Sequence, residues 1–356
     1  MKKLGVILVA LGGALAVVAV TGADPGPSLG YQPQVFVVDT GGSGLRQVTT
    51  SAGWKIGPAF SRDDKRLTYV DRGIRVFTLA SGKTRRLTRT RNLHPGFASW
   101  SPARDELAIV FGSGNEDRPR SHIAIIDPHG GRFRRLASWT GGGLSKGAPV
   151  WSPDGTTIVY ARERARKSGG DPYCICGPTN VAVVSRKGTR RRVFELHGDE
   201  LFPQWSRDGR WLLFGRRQEG EKFGLWKFTA RGRRLQRVGP PIVYARDASW
   251  SHDGKRVAFA GHYETGARDQ ALFVLDATPT GVPRLIAEHV GNSAWSPVAD
   301  LIAFTTHDGQ VRVTTPDGRA QRTVATFPTD TEFFYLNWSR DGTRLTFTAQ
   351  KQRPSD

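Results

Sequence analysis

The sequence predicts an all-β fold, a seven-bladed β-propeller closed by pairing of its N- and C-terminal hairpins in one blade. Two repeats and the order of the chain ends predict it. A phrase of aromatic residue, Ser and tight turn recurs seven times. A second phrase, an apolar strand followed by a Gly turn and a basic strand, alternates with it and also occurs seven times. The chain opens on the second phrase and stops on the first, so neither end has its mate nearby in sequence.

The first phrase reads Phe60-Ser61-Arg62-Asp63-Asp64, Trp100-Ser101-Pro102, Trp151-Ser152-Pro153-Asp154-Gly155 and Trp205-Ser206-Arg207-Asp208-Gly209. It continues as Trp250-Ser251-His252-Asp253-Gly254, Trp295-Ser296-Pro297 and Trp338-Ser339-Arg340-Asp341-Gly342. Successive anchors are 40, 51, 54, 45, 45 and 43 residues apart, and six of the ten Trp occupy them. Pro or Arg followed by Asp-Gly is tight-turn chemistry, with Gly free to take positive φ. Strands such as Thr157-Ile158-Val159-Tyr160 and Arg344-Leu345-Thr346-Phe347 follow, which makes each phrase a β-hairpin. Blades two and six depart from it, with Ala103-Arg104 and Val298-Ala299 in place of Asp-Gly.

The second phrase starts at Gln34-Val35-Phe36-Val37-Val38-Asp39 and Leu45-Arg46-Gln47-Val48 and ends at Val311-Arg312-Val313 and Arg322-Thr323-Val324. Two hairpins in about 45 residues make a four-stranded unit of propeller-blade length. If residues 338–349 and 35–49 complete one blade together, the ring closes and its open edges disappear. A ring of six blades is the alternative.

The Trp-Ser-Pro-Asp-Gly phrase, with the strand and turn Ile125-Ile126-Asp127-Pro128-His129-Gly130-Gly131, resembles the TolB-type, WD-like propeller repeat of bacteria. The resemblance covers about residues 35–349 and implies a propeller fold. Blades of this type serve many roles, so it implies little about function. TolB itself has six blades and an N-terminal α/β domain. Here the repeats number seven and no such domain fits before residue 35, so TolB's partners do not carry over.

Residues 1–23 read as an export signal: Lys2 and Lys3, an apolar run from Leu4 to Val20, and small residues Thr21-Gly22-Ala23 before a cleavage point. A retained N-terminal membrane anchor is the alternative. Residues 24–34 read as a Gly- and Pro-rich linker, 35–349 as the propeller and 350–356 as a tail. Export places the chain in the periplasm, at the cell surface or outside the cell. The remaining composition excludes other classes. Hydrophobic residues make up 38% and the ten Trp argue for packed structure, against global disorder. One apolar run and a mean hydropathy of -0.41 exclude a multi-span membrane protein. Two cysteines cannot build a disulfide-stapled fold.

Short repetitive turns make one face of such a ring uniform, and varied loops between and within blades give the other face its character. The inter-blade loops offer His94, Lys146, His197, Asp199, Glu200, Arg246, Asp247, Asn292, Phe334 and Tyr335. The mid-blade loops offer Glu116, Asp117, Arg118, Arg216, Arg217, His262, Tyr263, Glu264 and His307. Of these, His94, His197, Asp199, Glu200, Arg246, Asp247, His262 and His307 are the candidate ligand-binding set at the channel mouth. Cys174 and Cys176 lie in the longest mid-blade loop, where an exported chain would oxidise them to a local disulfide.

Catalytic signatures are sparse, and no catalytic residue, metal ligand or cofactor is assigned. Gly143-Leu144-Ser145-Lys146-Gly147 matches a nucleophile-elbow pattern but lacks the strand before it and the helix after it. There is no H-E-x-x-H and no P-loop. A resemblance to propeller lyases such as oligogalacturonate lyase would draw on His94, His197, His262 and His307.

Formal charge is +20, from 52 Lys and Arg against 32 Asp and Glu. Arg85, Arg86, Arg134, Arg135, Arg190, Arg191, Arg192, Arg233 and Arg234 fall on the expected outermost strands and form a belt. Such a belt blocks edge-to-edge pairing and suits attraction to an anionic surface. Nucleic acid is not expected, because the aromatics read as blade core and not as a stacking platform. The leading expectation is a non-catalytic exported propeller that binds a protein or envelope component through its loop-rich face. The alternative is a lyase or hydrolase acting on an anionic glycan at the channel mouth.

Overall fold

The computed structural model describes residues 29–88, 94–113, 120–130, 133–140, 147–164, 178–196, 198–217, 223–242, 244–262 and 269–352. The expected export signal, Ser145 and Lys146, Glu116 to Arg118, both cysteines, His197, and Tyr263 and Glu264 lie outside them. The described residues form strands and no helix, so none is long and apolar enough to cross a membrane.

The chain starts with β1 (Gln34–Asp39) and β2 (Arg46–Gln47). Blade one is β3 (Ile56–Phe60), β4 (Arg66–Val70), β5 (Ile74–Thr78) and β6 (Thr84–Arg86). Blade two is β7 (His94–Trp100), β8 (Leu107–Ser113), β9 (Arg120–Ile126) and β10 (Phe133–Thr140). Blade three is β11 (Val150–Trp151), β12 (Thr157–Glu163), β13 (Thr179–Ser185) and β14 (Arg191–Phe194). Blade four is β15 (Asp199–Trp205), β16 (Trp211–Arg217), β17 (Phe223–Thr229) and β18 (Gln236–Ile242). Blade five is β19 (Tyr244–Trp250), β20 (Arg256–His262), β21 (Ala271–Asp276) and β22 (Arg284–Ala287). Blade six is β23 (Val290–Trp295), β24 (Ile302–Thr306), β25 (Gln310–Thr314) and β26 (Gln321–Thr326). The chain ends on β27 (Thr331–Trp338) and β28 (Arg344–Lys351).

Seven four-stranded antiparallel sheets result, and the seventh has the order β2-β1-β28-β27. The ring therefore closes as the end order predicts, and the count is seven rather than six. Six residue pairs zip β1 to β28, from Gln34 with Ala349 to Asp39 with Arg344. Thr346 Oγ1 adds a bond to the Phe36 carbonyl at 2.9 Å.

The core lies between the faces of neighbouring blades. At the closing blade, Phe36 stacks on Phe347 with centroids 5.8 Å apart and meets Phe327 of blade six edge-on at 5.1 Å. Each anchor aromatic ends an inner strand. The indoles of Trp151, Trp205 and Trp338 donate to the inner strand of the preceding blade, at Ser99 (3.2 Å), Val150 (3.2 Å) and Ala294 (2.8 Å). The Trp is thus a tie between blades as well as a hydrophobic plug.

The turn after the anchor explains the rest of the phrase. Ser61, Ser152, Ser206, Ser251 and Ser339 each donate to the Asp two residues on, at 2.5–2.6 Å. Each hydroxyl also accepts the backbone N–H five residues on, at 2.8–2.9 Å. Blades two and six keep only the Ser half, with Ser101 capping the N–H of Arg104 at 3.2 Å and Ser296 that of Val298 at 3.3 Å. A local Ser and Asp can satisfy the turn without sheet partners, which is why the phrase starts each new hairpin.

Arginines link successive blades. Arg66, Arg256 and Arg344 open the second strand of their blades and lie over Trp100, Trp295 and Phe60 of the next, 4.9–5.3 Å from the ring centroids. On the outer edge, Arg46 donates to the Leu79 carbonyl at 2.8 Å, Arg134 to Arg186 at 2.7 Å and Arg192 to Arg231 at 2.6 Å. The exposed basic positions on outer strands are therefore partly structural. Arg191 also stays within its blade, donating to the Gly188 carbonyl at 3.0 Å. Arg233 and Arg234 stand in the turn before β18 and not on the outer strand itself, with Arg234 at φ 56°.

Candidate functional site

The antiparallel order of each blade puts the start of the inner strand and the link between the second and third strands at one mouth of the channel. The aromatic-Ser turns sit at the other mouth. Each mouth carries its own chemistry.

At the loop-rich mouth the inner strands are irregular in the same place. Register slips between Ile56 and Ala59, Pro95 and Ala98, Leu201 and Gln204, Arg246 and Ser249, Val290 and Ser293, and Phe334 and Asn337. A bulge of this kind re-aims side chains out of the sheet stack. Phe202, Asp247 and Tyr335 hold positive φ there, at 50°, 53° and 57°. Such values are uncommon away from Gly. In blade one Gly57 takes φ 60°, and a Cβ there would meet the Phe97 ring at 3.0 Å. Phe97 of blade two then reaches past blade one to Tyr335 of blade seven, with ring centroids 5.7 Å apart. Contact between blades that are not neighbours places both rings in the channel.

Several expected site residues gather near this mouth, though in strands more than in loops. Asp199 and Glu200 begin β15, Arg216 and Arg217 end β16, Arg246 and Asp247 lie in β19, and His262 ends β20. The hairpins continue to the mouth, so the loops expected there are shorter. Asp247 accepts from Asn292 Nδ2 at 2.7 Å. Burial, and then the Asp247 charge, push the Tyr335 phenol upward. Arg217 pairs with Asp199 at 3.6 Å. Asp199 also accepts from the Thr179 N–H at 2.9 Å, which ties blade four to blade three.

Glu200 is wholly buried. Burial pushes its carboxyl up to about 7, against the opposing pull of the Gly198 N–H and of Arg164 and Arg216. The Arg216 Nε lies 3.9 Å away, and Glu200 Oε2 and Arg216 Nε are buried without a hydrogen bond.

Of the expected histidines, the side chains of His262 and His307 are described, and they make separate contacts. His262 stacks on Tyr244 with centroids 5.9 Å apart. His307 lies 3.6 Å from Asp269, which also pairs with His289 at 3.0 Å. His94 begins β7, and nothing is described of its side chain or that of Arg246. Among the described residues no three His, Cys, Asp or Glu side chains stand close enough to share a metal ion.

Sequence reasoning missed a Ser–His–Ser relay. His122 in β9 bonds Ser113 at 2.6 Å through Nε2 and Ser138 at 2.7 Å through Nδ1. Burial first, then Arg135 and Arg120, hold its pKa below the usual imidazole value. The relay crosses the three outer strands of blade two, away from the channel.

The turn-bearing mouth holds a cavity of about 540 Å³ floored by Trp151, Trp205, Trp250 and Trp295. A smaller one of about 160 Å³ adjoins it, bounded by Phe60, Trp100 and Trp338, and the two share Pro297 and Arg340. The residue after each anchor Ser rims this mouth: Arg62, Pro102, Pro153, Arg207, His252, Pro297 and Arg340 in chain order. Arg207 of blade four donates across the channel to the Pro297 carbonyl of blade six. Burial, with repulsion from Arg62 and Arg207, lowers the Arg340 pKa against the pull of Asp64. The signal for this mouth was in the sequence, as the varied position that follows each anchor Ser.

No family model matches the chain, and no curated protein matches it. Solved structures do. A structure described as TolB from Agrobacterium tumefaciens is 16% identical, with TM-score 0.54, covering 92% of this chain and 100% of that one. An oligogalacturonate lyase in complex with manganese is 14% identical, with TM-score 0.63, covering 92% and 99%. An oligogalacturonate lyase from Vibrio parahaemolyticus is also 14% identical, with TM-score 0.56, covering 86% and 80%. At these identities the likeness establishes the fold, an all-β, seven-bladed propeller similar to TolB and to the lyases.

Proposed function

We propose that this protein is an exported, non-catalytic propeller that captures a protein or cell-envelope component at its loop-rich mouth. The observation that carries this reading is the set of exposed aromatics at the starts and bulges of the inner strands. Trp54, Tyr244 and Phe202 are 53%, 41% and 42% exposed. Large rigid aromatics held on a stiff frame are the side chains that dominate protein interfaces. Ionic groups surround them, including Asp247, Asp269 with its two His, and Arg217 with Asp199. Such a rim supplies register and selectivity around an apolar centre.

Export rests on the basic start and apolar run of residues 1–23. The basic outer strands add a general attraction to anionic surfaces, because the bonds of Arg134 and Arg192 to backbone carbonyls leave their charges uncompensated. Fold alone does not choose between a binding protein and a lyase, since both TolB and lyase structures share it.

The test is cross-linked capture from an envelope extract with wild type and a Trp54→Ala/Tyr244→Ala double variant of unchanged melting temperature. One reproducible partner that is lost with the double variant supports the reading. Capture by both proteins alike, or no reproducible partner, overturns it. Eliminative cleavage of an anionic glycan by the purified chain would favour the enzymatic alternative.

A further inference from the structure

We propose that the cavity at the turn-bearing mouth, opposite the partner-binding mouth, binds a small anion with a flat apolar body. Its carboxylate or phosphate would be held by Arg207 and Arg340, with Arg62 of the adjoining smaller cavity beside them, and its body would rest on Trp250 and Trp295.

Two observations carry this. The first is the state of the cations. Three other arginines on this face have acidic partners: Arg66 pairs with Asp105 at 2.6 Å, Arg256 with Asp300 at 2.8 Å and Arg186 with Glu106 at 2.5 Å. Among the described residues, the guanidiniums of Arg62, Arg207 and Arg340 pair with no carboxylate. Arg207 has only the Pro297 carbonyl, and the Asp64 carboxylate is taken by the backbone N–H groups of Arg340 and Asp341 at 2.8 and 2.9 Å. Guanidiniums gathered without counter-charge repel one another, and an anion relieves that while matching their forked donors.

The second observation is size and lining. About 540 Å³ with four Trp suits a single-ring or two-ring ligand. The fold does not require these arginines, because Pro102, Pro153 and Pro297 occupy the same turn position in three blades.

The experiment is isothermal titration of the full chain with indole-3-acetate, phenyl phosphate, the neutral analogue indole-3-acetamide, and inorganic phosphate. Indole-3-acetate or phenyl phosphate should bind saturably at one site, and the better of the two identifies the headgroup. The amide and inorganic phosphate should each bind at least tenfold more weakly. Arg340→Ala and Arg207→Ala should each weaken the preferred anion about tenfold or more, while Arg190→Ala on the outer edge leaves it unchanged. Near-UV circular dichroism reports folding, and Arg207→Ala carries the test if Arg340→Ala does not fold. Equal binding of acetate and amide, equal binding of inorganic phosphate, no saturable binding of either anion, or equal loss in Arg190→Ala would each overturn the proposal. None of these outcomes depends on partner capture at the other mouth.

Discussion

Asp64 offers a test in which the repeat and the structure give opposite answers. It stands where blades three, four, five and seven carry Gly155, Gly209, Gly254 and Gly342, and it holds φ 53°. Judged by the repeat, Asp64→Gly should stabilise, since it removes a side chain from left-handed backbone. The structure predicts the reverse. The buried Asp64 carboxylate accepts the N–H groups of Arg340 and Asp341 at 2.8 and 2.9 Å, and its carbonyl accepts Arg344 Nη2 at 2.6 Å. These bonds join residues 276 to 280 positions apart, tying the first blade to the tail that completes the last. A hydrogen bond to a charged group contributes about 1.5–3 kcal/mol, and water recovers part of that at a half-open turn. Relief of backbone strain returns about 1 kcal/mol. Asp64→Gly should therefore cost about 1–3 kcal/mol, Asp64→Ala about 1 kcal/mol more because it keeps the strain, and Asp64→Asn the least. Urea unfolding followed by Trp fluorescence, with the slope checked for constancy, measures the order. Asp64→Gly at or above wild-type stability would refute the reasoning.

Two predictions concern pH. The Glu200 carboxyl is raised from an ordinary 4.5 to about 7 in the folded chain, so folding takes up a proton between those values. Stability should then fall as pH rises from about 4.5 to 7, by roughly 3 kcal/mol for a fully buried group. Glu200→Gln should flatten that slope, and an unchanged slope in melting temperature across this range would refute the assignment. The turn carboxylates behave oppositely. Burial of Asp63, Asp154, Asp208 and Asp341 opposes ionisation, but bonds from Ser and backbone N–H groups outweigh it and hold them below the usual carboxylate value. In Asp253 the Ser251 hydroxyl leads in the same direction. Their contribution is complete above about pH 4 and is lost as pH falls through the lowered values. Ser152→Ala should make the melting temperature less sensitive to pH below 4, and an acid profile parallel to wild type would count against this account.

The blades were legible because their punctuation is local. A Ser that caps an N–H and an Asp that fixes the turn declare a hairpin without tertiary help, and counting them gave both the ring and its closure. The channel was harder to read. Asp199, Glu200 and Asp247 look like loop residues in sequence, yet paired strands run on through them. The bulges leave no mark, since Phe202 and Tyr335 are not residues that announce positive φ. Phe97 finds Tyr335 only because blade one offers Gly57 between them. The opposite mouth was hidden for another reason. Arg62, Arg207 and Arg340 are far apart along the chain and become neighbours only when the circle is complete.

Five of the arginine links between blades run in one rotational direction, while Arg186 to Glu106 and Arg216 to Leu196 run the other way. Arg66 reaches from blade one to two, Arg134 from two to three, Arg192 from three to four, Arg256 from five to six, and Arg344 from seven to one. Blades one, two and three therefore each carry an outgoing hook and an incoming eye, like couplings on railway carriages. A duplicate of such a unit would find its couplings already matched on both sides. Copy number in such a ring is free to drift during evolution as far as these joints are concerned.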